Sequence, residues 1–269
     1  MTATTFNIVT NIFGAIGAIM SVGLGLPQLI RLKKLKNSGT IAFSSYWCFY
    51  VGILLWVIFG IFSIGGVWYV FLANFICLIL YAFVMFYAYY YYQGRTKEMM
   101  NKAILGISFI SIIGLTMFAL FIVKYPVWWS IYGFNTVEYQ KKVALLQFPK
   151  MVDLIAGFIL PAFTALAFMP QFIKSMKTKN FNGLGPAFPI VFLINDFAWI
   201  VYYAVYIYAA SNPELANKDG FPQADTIMGL AGAIAWQSIS TVVYFVQLFG
   251  ILKFEKAAKQ QENNVLKSK

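Results

Sequence analysis

Apolar residues run through this chain in long blocks, parted by short polar stretches that hold most of the charge. The blocks fall at 6–31, 41–63, 66–92, 102–124, 151–174, 187–210 and 226–252. A bilayer core takes about 20 helical residues to cross, so the pattern predicts seven membrane-spanning helices in an all-α protein. Gly or Pro interrupts several of them. The tightest connection is the uncharged Ser63-Ile64-Gly65-Gly66. The first block has no basic residue before it and is too long for a cleaved leader, so it is read as a span. The charged stretch after Lys253 reads as a frayed helix end.

Composition narrows the function. Hydrophobic residues make up 61% and charged ones 11%, where an ordinary soluble domain is about 25% charged. There is no histidine, and the two cysteines, Cys48 and Cys77, lie apart. That argues against a disulfide framework, a zinc site and a Cys/His nucleophile pair. An intramembrane enzyme would need paired acids, a histidine or a metal set. None is visible, so no enzyme, cofactor or metal is expected.

A net charge of +11 suggests nucleic acid until the charges are placed. Arg31, Lys33, Lys34, Lys36, Arg95, Lys97, Lys102, Lys174, Lys177, Lys179, Lys253, Lys256, Lys259, Lys267 and Lys269 fall on one side of the predicted spans. Lys124, Lys141, Lys142, Lys150 and Lys218 fall on the other, a split of 15 to 5. The excess of basic residues marks the cytoplasmic side. This puts the N-terminus outside and the C-terminus in the cytoplasm, as seven spans across the plasma membrane require. The charge reads as a topology signal, and no nucleic-acid partner is expected.

The chain also repeats itself. At an offset of 143, Gly14 meets Gly157, Pro27-Gln28 meets Pro170-Gln171, Ile30 meets Ile173, and Arg31 meets Lys174. Lys34, Lys36 and Asn37 meet Lys177, Lys179 and Asn180, Phe49 meets Phe192, and Trp56 meets Trp199. Beyond the polar loop 211–225 the offset becomes 163, and Asn74 meets Gln237, Tyr81 meets Tyr244, and Phe86 meets Phe249. The predicted organisation is 3+1+3: a three-helix repeat in 1–95, a linker helix and outer loop in 96–150, a second repeat in 151–255 and a tail in 256–269. One added span restores the orientation that three spans invert, so the repeats are parallel about an axis along the membrane normal.

The stretches Leu26-Pro27-Gln28-Leu29-Ile30-Arg31 and Met169-Pro170-Gln171-Phe172-Ile173-Lys174 resemble the PQ-loop motif, which ends the first helix of a three-helix bundle ahead of a basic loop. A third Pro-Gln, Pro222-Gln223, has no basic stretch behind it. The paired motifs in this plan resemble the PQ-loop/SWEET (MtN3-like) transporter superfamily, with SemiSWEET, cystinosin-like exporters and the KDEL receptor among its members. The resemblance implies an alternating-access transporter for a small polar solute such as a sugar or amino acid, with proton coupling open. The alternatives are a receptor or sorting protein on the same fold, or a vitamin transporter of the nicotinamide riboside type. The implied partners are the solute, the bilayer and optionally protons. Two repeats make a pathway within one chain, so an oligomer is not required.

Candidate residues follow. Pro27 and Pro170 should kink their helices near the cytoplasmic end and serve as hinges; a plain helix terminus with a proline is the competing reading. Gln28 and Gln171 would bond the backbone carbonyls freed there. Counting about 1.5 Å per residue puts Trp56 and Asn74 at similar depth on neighbouring helices, and Trp199 and Gln237 likewise. Aromatic or small residues on the second helix and an asparagine on the third resemble the superfamily's central pocket. Asn74 matches that asparagine, and Gln237 is one methylene longer. The competing readings are core or lipid packing for the indoles and helix–helix bonding for the amides.

Asp196 is the one acid well inside a span, and an intramembrane carboxylate is a functional candidate by default. Asn195-Asp196-Phe197 resembles the cystinosin-like helix whose aspartate serves proton coupling; a helix-bonding carboxyl is the alternative. Ile53 holds the equivalent place in the first repeat. In loop 125–150, Tyr125, Trp128, Trp129, Tyr132, Phe134 and Tyr139 suggest a helix lying on the outer surface, or a lid over the outer mouth.

Overall fold

The computed structural model describes residues 2–63, 68–133, 136–180, 185–215 and 227–267, which are helix and turn throughout. The 64–66 turn, most of loop 211–225 with Lys218 and Pro222-Gln223, and Phe134 and Lys269 lie outside the described residues. Among those described, seven stretches are long and apolar enough to span a bilayer: Thr4–Leu35, Phe43–Phe62, Val70–Tyr90, Lys97–Tyr132, Lys150–Thr178, Ala187–Ser211 and Leu230–Phe254. The protein is a multi-pass membrane protein. Its outer faces confirm the solvent: Leu105 is 75% exposed and Phe245 63%, and only lipid accommodates such a belt.

The first and fifth spans are each broken in two. Helix α1 (Ala3–Gly23) gives way to α2 (Leu26–Leu35). Later, α8 (Lys150–Leu166) gives way to α9 (Met169–Thr178). Both prolines sit in the first turn of the second piece, where the missing N–H is an orphan in any case. The expected kink within a continuous helix is therefore a break before the proline. Both short helices end on a left-handed lysine, Lys36 at φ 49° and Lys179 at φ 50°, again 143 residues apart.

The second and third spans are α3 (Phe43–Phe62) and α4 (Trp68–Tyr90), and the last two are α10 (Ala187–Ser211) and α11 (Ile227–Lys267). The tail expected to fray continues α11 to Lys267. The fourth span begins at α5 (Lys97–Ile122), whose Thr96 hydroxyl caps the first turn by accepting from Met99 N–H. It runs on through a π-helical turn, Val123–Val127, into α6 (Trp128–Tyr132). Residues 125–132 thus extend the linker rather than lie along the surface; the wider π turn accommodates Pro126 without ending the helix. A short amphipathic helix, α7 (Val137–Ala144), follows, burying Tyr139 and Val143.

Within each set of three spans, the third helix packs between the first and second. Helix α4 touches α1 and α3, and α11 touches α8 and α10. The sets meet where α1 packs on α10 and α3 on α8. Neighbours therefore run α1–α4–α3–α8–α11–α10 and back to α1, a closed ring of six. The linker α5 lies against α4 and α3.

Candidate functional site

A floor of rings closes the middle of this bundle. Phe49 on α3 and Phe192 on α10 meet across the two sets with centroids 5.4 Å apart. Each packs on a tyrosine of its own set, Tyr81 at 5.0 Å and Tyr244 at 4.2 Å. Phe168, in the break before α9, wedges against Tyr46, Phe49, Phe188 and Phe192. Phe168, Tyr81 and Tyr244 are wholly buried.

The four predicted pocket residues stand two helical turns above this floor. Trp56, Trp199, Asn74 and Gln237 lie seven positions from Phe49, Phe192, Tyr81 and Tyr244, about 10 Å along the axis and on the same helix faces. The two indoles are placed differently. Trp199 lies on Gly17, where an added Cβ would come within 2.8 Å of the ring. Its Nε1 donates to Ser21 Oγ at 3.4 Å, and it stacks on Tyr203 at 5.6 Å. Trp56 is only half-buried and meets Phe59 edge-on. Asn74 donates back to Val70 O at 2.8 Å, which leaves its carbonyl oxygen the freer group.

Between floor and indoles the sets differ chemically. In the second, the Asp196 carboxyl is held by Ser240 and Asn195, and Ser21 donates to Asn195 Oδ1 at 2.9 Å. In the first, the matching positions are Ile53 and Cys77, both buried. Gly52 stands where the second set has Asn195, and an added Cβ there would lie 3.1 Å from Thr164 Cγ2. Thr164 itself matches Ser21, so one contact is built twice, once polar and once by close approach.

The end of the bundle carrying α2 and α9 holds most of the lysines and is called the basic end. Here Gln171, fully buried, does not turn back to its own helix break. Its side chain donates to Thr40 O at 3.1 Å and accepts from Ala42 N at 2.5 Å. Its backbone N–H donates to Ser45 Oγ at 2.9 Å, and Lys174 reaches Ile41 O at 2.9 Å. The second set thus grips the loop before α3. Gln28 is equally buried, beside Tyr46; residues 181–184 lie outside the described residues.

Lys124 is more than a loop charge. It is 1% exposed in the π turn, and its ammonium donates to the Ile61 carbonyl. The next carbonyl, Phe62 O, accepts from Phe148 N at 2.6 Å. A cation and an amide thus cap the end of α3, where the helix dipole favours positive charge. Among the described residues, no group of three or more His, Cys, Asp or Glu gathers as a metal site would need.

No family model matches the chain. A stretch of 49 residues, 18% of the chain, is 39% identical to the Sugar transporter SemiSWEET of Escherichia coli (strain UMEA 3162-1). The match spans 55% of that relative, so about half of its length is covered. The structure of a eukaryotic SWEET transporter superposes with a TM-score of 0.51 at 12% identity, covering 94% of this chain and 99% of that one. The chain thus shares the fold of that SWEET transporter.

Proposed function

Proceeding from a SWEET-like fold, we propose that the protein moves a small polar solute by alternating access. It is organised as repeats 1–95 and 151–255 around a linker, 96–150, with the N-terminus outside and the basic end and tail in the cytoplasm. The observation that carries the reading is the ring floor, made by matched residues of both sets, beneath a layer of indoles and amides. An indole face stacks on C–H groups or flat rings, and an amide offers donors and an acceptor. Sugar is the first candidate, because SemiSWEET is named a sugar transporter; amino acids and nicotinamide riboside suit the same layer. The solute rests on Trp199, with Trp56, Asn74 and Gln237 around it, above the closed floor. To release it, the sets rock at the α1–α10 and α3–α8 contacts. They pivot at the breaks before Pro27 and Pro170, the Phe49–Phe192 contact parts, and Gln171 lets go of residues 40–42. Asp196, which faces no cation among the described residues, takes up a proton on one side and gives it up on the other.

The test is uptake of glucose, alanine and nicotinamide riboside into vesicles, with and without a pH gradient. One of the three enters faster than into empty vesicles; if none does, the reading fails. Asp196→Asn keeps gradient-free exchange and loses pH-driven accumulation, so indifference of the wild type to a pH gradient returns Asp196 to helix packing. Pro27→Ala and Pro170→Ala slow uptake, and a wild-type rate in either removes the hinge from that half.

Orientation has its own check. A cysteine replacing Lys269 is labelled by impermeant reagent only after cells are opened. Labelling in intact cells would reverse the assignment.

A further inference from the structure

Asp196 is 2% exposed, and its Oδ2 has no hydrogen-bond partner among the described residues. Similar groups continue from it toward the basic end. Tyr244, one turn along α11 from Ser240, lies within electrostatic reach of Asp196. Tyr81 lies within reach of both Tyr244 and Tyr46, and the Tyr46 and Tyr81 rings are 6.2 Å apart. Tyr46 stands beside Gln28 and Arg31. The hydroxyls of Tyr81 and Tyr244 are wholly buried without a partner among the described residues, as are both ends of the Gln247 amide. Such groups are costly if left alone, and they are few in native proteins. Here they gather in one strip through the ring floor. A polar strip whose members can each offer a water two or more partners is where buried water settles.

We propose that Tyr244, Gln247, Tyr81 and Tyr46, bridged by water, form a proton route between Asp196 and the basic end, crossing the floor while it is shut to solute. The proposal rests on the reading in which Asp196 exchanges a proton. The groups facing the route are Asn195 from α10, Ser240, Tyr244 and Gln247 from α11, and Cys77 and Tyr81 from α4. Tyr46 and Cys48 face it from α3, Ser21 from α1 through Asn195, and Gln28 and Arg31 from α2. Asp196 is the carboxylate among them. A proton leaving Oδ2 binds the next oxygen, whose own proton passes onward. Each hydroxyl ends with the one proton it began with, the carboxylate is left ionised, and one hydronium emerges at the basic end. No tyrosinate forms and nothing is oxidised. The acid end of the strip is built in one half alone, since Ile53 and Val84 occupy the places of Asp196 and Gln247 in the other.

The test needs no known solute. The full chain is placed in vesicles whose bath faces the basic end, and the bath pH is jumped. Infrared difference spectra follow the protonated carboxyl band, assigned to Asp196 by its loss in Asp196→Asn. Tyr81→Phe and Tyr244→Phe keep the rings and remove only the hydroxyls. Each is expected to slow the band's response by about tenfold or more, with a melting temperature close to that of the wild type. A wild-type response in both variants overturns the route. A slowed response accompanied by an equally large fall in melting temperature also overturns it, because the hydroxyls then act through packing. If wild type shows no band that Asp196→Asn removes, Asp196 does not titrate, and the proton reading itself fails together with the route.

Discussion

Phe192→Ala lowers the stability of the purified protein by about 3–5 kcal/mol, the cost of emptying a well-packed aromatic site. The ring touches Phe49, Phe168, Phe188 and Tyr244 at centroid distances of 4.2 to 5.9 Å. These neighbours come from both sets of helices and from the α9 break, so no single helix can move in to fill the space. The internal control is Phe197, five residues along the same helix and 61% exposed on its outer side. Phe197→Ala should change stability by less than about 1 kcal/mol, because lipid replaces the lost contacts. Thermal melting in detergent reads both variants. Equal melting temperatures would mean that the ring floor is not where the halves are packed together.

The second large effect concerns the solute. On the transport reading proposed above, Trp199→Ala raises the half-saturating concentration of the solute roughly thirtyfold, the loss of about 2 kcal/mol expected for an aromatic anchor. Trp56→Ala does less. Gly17, Ser21 and Tyr203 hold the Trp199 ring in one orientation, so it pays little entropy to receive a ligand. The ring contact of Trp56 among the described residues is edge-on, with Phe59. Initial uptake rates across a concentration series decide the matter. Equal shifts in the two variants would mean that the layer works symmetrically, and an unchanged Trp199→Ala would remove the indole from the pathway.

Much of this arrangement was legible in the residue order. Block lengths predicted all seven spans. The two offsets picked out Trp56, Trp199, Asn74 and Gln237, each seven positions from a residue of the ring floor. The same offsets matched Phe49 with Phe192 and Tyr81 with Tyr244. Their part in the floor was not legible, because a phenylalanine inside an apolar span looks alike whether it meets lipid, its own helix bundle or the other half. The packing of each third helix between the first two is likewise a matter of contacts far apart in sequence. Gln171 was assigned to the nearest free carbonyls, those of its own break. The loop at Thr40 and Ala42 satisfies it instead, from 131 and 129 residues away. Lys124 was hidden by its position: a charge followed by Pro126 marks the end of an apolar block on paper, and the π turn carries the helix past both.

That lysine bears on how the chain is made. A lysine near the end of a span resists entry into lipid by as much as about 2.5–3.5 kcal/mol at the bilayer centre and less toward its edge. Its compensating acceptor, Ile61 O, belongs to a helix synthesised some sixty residues earlier. During biogenesis the second span therefore has to be waiting in the membrane, its last carbonyls uncovered, when the fourth arrives. The first three spans by themselves would keep those carbonyls open. Insertion of the fourth span thus covers the end of the second before the last three spans have been made.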